Sequence, residues 1–164
     1  MNYEEWVSTV PEDIRADSLW KMEAYRLSLF LSDIGWQDAT KLFNDIRTRG
    51  ISGQLYRSLG SISANIAEGY SRGTGKDRAR LYEYALGSAR ESRNWVYLGR
   101  FILGEQVSSH RLSLLSQIIR LLLTMVPQQR GRSLRESQVD YQRDDRETQL
   151  HGFESLDNFP ENIS

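Results

Sequence analysis

From Ser18 to Val126, apolar residues recur at every third or fourth position, in runs separated by short segments that carry glycine. That spacing gathers side chains on one face of an α-helix, whereas a half-buried strand needs strict alternation, which the chain does not show. An all-α fold follows. The first run follows Asp17 or Ser18 as a cap and carries Trp20, Ala24, Leu27, Leu31 and Ile34, with Gly35 expected to end it. Residues 37–48 hold a shorter helical segment around Ala39, Leu42, Phe43 and Ile46, punctuated by Gly50. A second long helix from Ser52 shows Leu55, Leu59, Ile62 and Ile66, and stops at Gly69 or shortly after. The turn S-R-G-T-G follows, with Thr74 as the next cap. The third helix covers Lys76 to Leu103, closed by Gly104. The fourth starts near Ser108–Ser109 and is expected to end at Pro127, which supplies no backbone donor. Short connections between such helices favour an antiparallel up-down four-helix bundle.

This bundle spans 18–126. Residues 1–17 carry Glu4, Glu5, Glu12, Asp13 and Asp17 and read as an acidic, weakly structured arm pinned by Trp6 and Val7. Residues 127–164 read as a disordered acidic tail. The tail has a helix-prone stretch at Leu134–Tyr141, and its end carries Phe153, Leu156 and Phe159 among acids, in the manner of a short linear binding motif.

Composition narrows the chemistry. The chain has no cysteine, which excludes disulfides, thiolate metal sites and a cysteine nucleophile. His110 and His151 are its two imidazoles, too few for a histidine metal site, so no metal and no cofactor are expected. No apolar run is long enough to span a bilayer, and the acidic N-terminus lacks an apolar signal core. A soluble cytoplasmic protein is the resulting expectation. Gly73, Gly75 and Lys76 only superficially suggest a phosphate loop: the P-loop spacing is absent and no strand precedes them.

Polar residues thread the second helix where a plain core helix has none. Ser61, Asn65 and Glu68 lie at i, i+4 and i+7, on one face. Gly87, Ser88 and Glu91 offer a matching strip on the third helix, where Gly87 is expected to allow close approach. An unsatisfied buried polar group costs about 1–3 kcal/mol, so Asn65, Glu68 and Ser88 are expected in one hydrogen-bonded cluster that fixes helix register. The alternative, a catalytic pair of carboxylates at Glu68 and Glu91, has no nucleophile, metal set or phosphate loop beside it. No enzymatic activity is expected.

The stretch S-I-S-A-N-I-A-E-G-Y-S-R-G, followed by L-Y-E-Y-A-L-G-S-A-R-E-S, resembles a bacterial four-helix-bundle family. That family includes proteins encoded in intervening sequences of large-subunit ribosomal RNA genes and the accessory variability protein of diversity-generating retroelements. Asn65, Ala67, Glu68, Gly69 and Arg72 match its first motif; Ala85, Leu86, Gly87, Ser88 and Glu91 match its second. Ser63 departs from the usual proline, and the tail after Pro127 is a second departure. The resemblance implies a homopentameric barrel without enzymatic activity. For the retroelement members it implies a scaffold that binds a reverse transcriptase and its template RNA through a basic surface.

Charge by segment bears on that surface. The whole chain has a formal net charge of −1. Residues 47–100 hold ten cations, nine of them Arg, against Glu68, Asp77, Glu83 and Glu91, hence a net charge of +6. Arginine contacts phosphate bidentately and stacks on bases. Tyr56, Tyr70, Tyr82, Tyr84 and Trp95 are interleaved with these cations. Arg72, Lys76, Arg78 and Arg80, at the glycine-rich turn, are the leading RNA or DNA contacts, followed by Arg90, Arg93 and Arg100. The bland reading is a solvated face with pairs such as Arg80–Glu83. The competing function is a protein-interaction scaffold without nucleic acid. Trp20, Trp36, Trp95, Tyr25 and Phe30 are expected in the core or at subunit contacts.

Overall fold

The computed structural model describes residues 2–131, and they are all-helical. Two short helices, α1 (Tyr3–Thr9) and α2 (Glu12–Arg15), and a 3-10 turn (Ser18–Lys21) precede four long ones: α3 (Glu23–Phe43), α4 (Arg49–Tyr70), α5 (Gly75–Leu103) and α6 (Glu105–Arg130). The motif-like end with Phe153, Leu156 and Phe159 and the helix-prone stretch at 134–141 lie outside the described residues.

Each long helix packs back along its predecessor. Trp36 meets Tyr56, and the Thr48 hydroxyl donates to the Leu42 carbonyl at 2.7 Å, so α3 and α4 are antiparallel. Ser92 Oγ donates to Ser58 Oγ and Ser88 Oγ to Ser61 Oγ, both at 2.9 Å, which sets α4 against α5 in the same sense. Arg130 of α6 pairs with Glu83 of α5 at 2.8 Å. Leu31, Leu42, Leu59, Ile62, Ile118 and Leu122 fill the space between the helices and are all but inaccessible. Burying each such side chain contributes roughly 1.5–3 kcal/mol.

Several local expectations change. The first long helix starts at Glu23, because Asp17 caps only the 3-10 turn, and Gly50 lies inside α4, which begins at Arg49 rather than Ser52. Gly35 does not end a helix, because α3 runs through it from Glu23 to Phe43. A β-carbon there would lie 2.4 Å from Leu59 Cδ1, so the glycine marks where α4 crosses closely. Pro127 does not end the last helix, which continues to Arg130 and closes at Gly131 in the left-handed conformation. Val126 is buried beside the proline, and the Gln129 carbonyl sits over Gly75, so tertiary packing holds that last turn. The fourth helix also starts earlier than Ser108: Gly104, at φ +88°, is the whole connection between α5 and α6. Only glycine adopts that conformation readily.

The N-terminal arm is helical rather than weakly structured. Asn2 and Glu5 form a capping box at the start of α1. Trp6 is buried, and its indole donates to Asp33 Oδ2 at 2.7 Å. Tyr3 packs edge-on against Phe30 and accepts a bond from Arg26 at 3.2 Å. Val7 and Tyr3 are both half-buried and pack against the core, so Trp6, Val7 and Tyr3 together hold the arm in place.

Candidate nucleic-acid interface

The expected basic residues do not form one cluster. Arg72, Lys76, Arg78 and Arg80 surround the α4–α5 turn at one end of the helices, while Arg100 lies at the other end of α5. Thr74 builds the turn: its hydroxyl accepts from the Asp77 backbone at 3.1 Å and bonds the Asp77 carboxylate at 2.7 Å. Lys76 and Arg80 stand exposed on the first turns of α5. Arg72 is exposed and pairs with Glu68, one turn back on α4. Arg78 is drawn inward: it is half-buried, and its Nε is buried without an acceptor. Beside it the Tyr82 hydroxyl titrates above its ordinary range, chiefly because it is desolvated, although the Arg78 charge opposes the shift. The expected Arg80–Glu83 pair is absent, since Glu83 turns to Arg130.

Along α5, a stripe at spacings of three and four runs Lys76, Arg80, Glu83, Gly87, Arg90, Asn94, Tyr97, Phe101. All but the half-buried Glu83 are exposed. At 1.5 Å per residue the stripe is about 38 Å long. Arg93 flanks it, half-buried. At its far end the Arg100 guanidinium lies 4.0 Å from the Tyr97 ring centre and 4.1 Å from that of Phe101. The same side chain donates to the Tyr97 carbonyl at 2.8 Å. Cations on α4 and in the connection before it are paired locally. Arg57 bonds Gln54, and Arg47 clamps Asp45 at 2.7 Å, which holds that carboxyl down to about 2 through the hydrogen bonds from Arg47.

The motif residues come together only in part. Asn65 donates to the Ser61 carbonyl at 2.8 Å and to Ser61 Oγ at 3.0 Å, and Ser88 donates to the same hydroxyl. Glu68 is outside this cluster, held by Arg72, and Glu91 accepts from the Trp95 indole at 3.1 Å. The carboxylates are thus engaged separately, each with a neighbour four residues on in the chain. Gly87 does not mediate close approach, because a β-carbon there would meet nothing within 4 Å. Gly69 does: its β-carbon would lie 2.7 Å from the Tyr82 ring.

Phe30 is core, Trp20, Tyr25 and Trp95 are half-buried, and Trp36 is exposed. Trp36 and Tyr56 stack edge-on at 5.5 Å beside a groove of about 260 Å³ reaching Phe43 and Gly53. Two features lay outside the sequence reading. The first is a buried ion pair, Asp38 with Arg111, at 2.6 Å. Its signal was available, since Asp38 sits on the apolar face of α3 between Ile34 and Leu42. The second is the exposed pair Tyr97 and Phe101, which fall off the apolar stripe of α5. Among the described residues, no group of three His, Asp or Glu side chains could hold a metal ion, and no helix is long and apolar enough to cross a membrane.

A crystal structure of a protein of unknown function from the S23 ribosomal protein family of Bacteroides thetaiotaomicron VPI-5482 has the same fold. The TM-score is 0.59 at 23% identity, over 63% of this chain and 97% of that one. No curated protein matches the chain. Residues 21–123 match the family model described as 23S rRNA-intervening sequence protein. That span covers most of α3 through α6 and both sequence motifs, and the chain belongs to the 23S rRNA-intervening sequence protein family.

Proposed function

We propose that the protein is a non-enzymatic scaffold that binds nucleic acid through the outer face of α5 and the turn before it. The observation that carries this reading is the exposed stripe itself. Lys76, Arg80 and Arg90 are presented on one helical face, with Arg72 beside them at the turn. In this reading four-helix protomers assemble as a ring of identical copies, a pentamer by resemblance, which multiplies each cation. The groove beside Trp36, Tyr56 and Phe43 suits such a subunit seam, being almost wholly apolar and rich in aromatic rings. The scaffold acts in the cytoplasm and presents RNA to a protein partner, for which a reverse transcriptase of a diversity-generating retroelement is the leading candidate.

A second reading, a protein-interaction scaffold without nucleic acid, draws on that same apolar groove. Reversing the charge at Arg72, Lys76 and Arg80 separates the two. Arg78 is left in place because its stem is part of the packing. The nucleic-acid reading expects the triple variant to lose RNA in a gel-shift assay while keeping its oligomeric state by light scattering. Unchanged RNA binding, or none by the parent protein, favours the second reading.

A further inference from the structure

Tyr97 and Phe101 are two of the large apolar side chains that α5 exposes, with Tyr84 and Leu98, and Phe101 is the most exposed of them. Tyr97 and Phe101 are 53% and 81% exposed, one turn apart, on the face that carries Lys76, Arg80 and Arg90. Arg100 lies over both rings. Together they border a groove of about 530 Å³ backed by Leu112 of α6, with the Ser109 hydroxyl and Glu105 at its rim. Resting on the nucleic-acid reading above, we propose that this groove is a stacking site for the unpaired bases of a single-stranded nucleic acid whose phosphates run along the α5 stripe.

Three features point to that occupant. Base faces stack on aromatic rings and on guanidinium planes, and both are exposed here side by side. The charge is complementary and directional. On α5 six cations stand against Asp77, Glu83 and Glu91, and those on the stripe lead from the turn toward the rings. A strand held at Lys76, Arg80 and Arg90 therefore reaches Tyr97 and Phe101 within its own length. The rim is also polar in the way a base requires, since a carboxylate accepts from an exocyclic amine and a hydroxyl serves either role. The groove at Trp36 and Phe43 lacks this. It presents almost no polar surface, which suits another protein surface. A protein partner seated on Tyr97 and Phe101 would have to desolvate Arg100 or supply a carboxylate for it. A duplex hides its base faces and gains nothing from the rings, so the site discriminates between single and double strands.

The test uses the full chain and fluorescence anisotropy with an unstructured 20-nucleotide RNA and the duplex of the same strand. The parent protein should bind the single strand more tightly. Phe101→Ala and Tyr97→Ala should each weaken that binding by about tenfold. Neither should alter its salt dependence, because no phosphate contact is removed. Phe101→Trp should restore the affinity, and 2-aminopurine placed in the strand should be quenched on binding. Equal affinity for both RNAs, unaffected by Phe101→Ala, would overturn the stacking site and leave the cationic reading standing. No binding of either RNA would overturn both. A Phe101→Ala protein that falls to a smaller oligomer in light scattering would show that the face seats a second copy, and would also overturn the stacking site.

Discussion

Asp38 of α3 and Arg111 of α6 form a buried ion pair. Their side chains are 4% and 14% exposed, and the guanidinium bonds both carboxylate oxygens, at 2.6 and 3.2 Å. Removing one partner of such a pair strands the other charge, so Asp38→Ala should lower stability by about 3–5 kcal/mol in a denaturant titration. Replacing both, as Asp38→Leu with Arg111→Met, should cost markedly less. His110 adds a pH dependence. Its Nδ1 accepts from Arg111 Nη1 at 2.6 Å, and its ring stands edge-on to Phe30. Burial and the Arg111 charge hold its pKa below the ordinary 6.5, against an opposing pull from Asp38. The unfolded chain therefore takes up a proton that the folded chain refuses, and stability falls as pH drops through 6.5 toward the folded value. His110→Gln should flatten that part of the curve of unfolding midpoint against pH, measured from about pH 7.5 down to about pH 5. At this scale the sequence was only partly legible. Asp38 sat visibly on an apolar face, but which cation would reach it across 73 positions was not written in any local pattern.

At the scale of the helix, glycine carried the ambiguity. Periodicity located the four long helices, although it began α3 too early and split it in two, and Thr74 and Gly104 were read correctly as boundaries. Gly35 was not, because a glycine that stops a helix and one that admits a neighbour look alike until the neighbour is known. Gly87 was misread in the opposite direction, as a point of contact where the protomer has open space. The two make a paired prediction. Gly35→Ala forces a β-carbon against Leu59 and should destabilise the protein by about 1–3 kcal/mol. Gly87→Ala relieves an exposed helical glycine and should stabilise the isolated protomer by up to about 1 kcal/mol. Thermal unfolding of both variants checks them. The Ser61–Asn65–Ser88 cluster was foreseen in its helices but not in its membership. Glu68 was expected inside it, yet a charged carboxylate at a half-exposed position is better served by Arg72 one turn away.

At the scale of the molecule, the two ends of the helices differ in chemistry. The α4–α5 turn gathers Arg72, Lys76 and Arg80, while the opposite end exposes Phe43, Ile46, Tyr97 and Phe101. The +6 balance of residues 47–100 was legible in the sequence, but its division between two ends was not, since a linear segment of charge says nothing of where the chain reverses. The docked arm was illegible for a related reason. Its short helices are too brief to show periodicity and are held by Trp6 and Tyr3 reaching α3. The central claim is that the α5 face and its turn hold phosphates. The most direct measurement is RNA affinity of the nuclease-treated protein across a series of salt concentrations. Contacts from Arg72, Lys76, Arg80 and Arg90 would give a slope of log affinity on log salt of about −3 per protomer engaged, at about −0.7 per single-strand phosphate. A slope near zero, or no binding at low salt, would contradict the account.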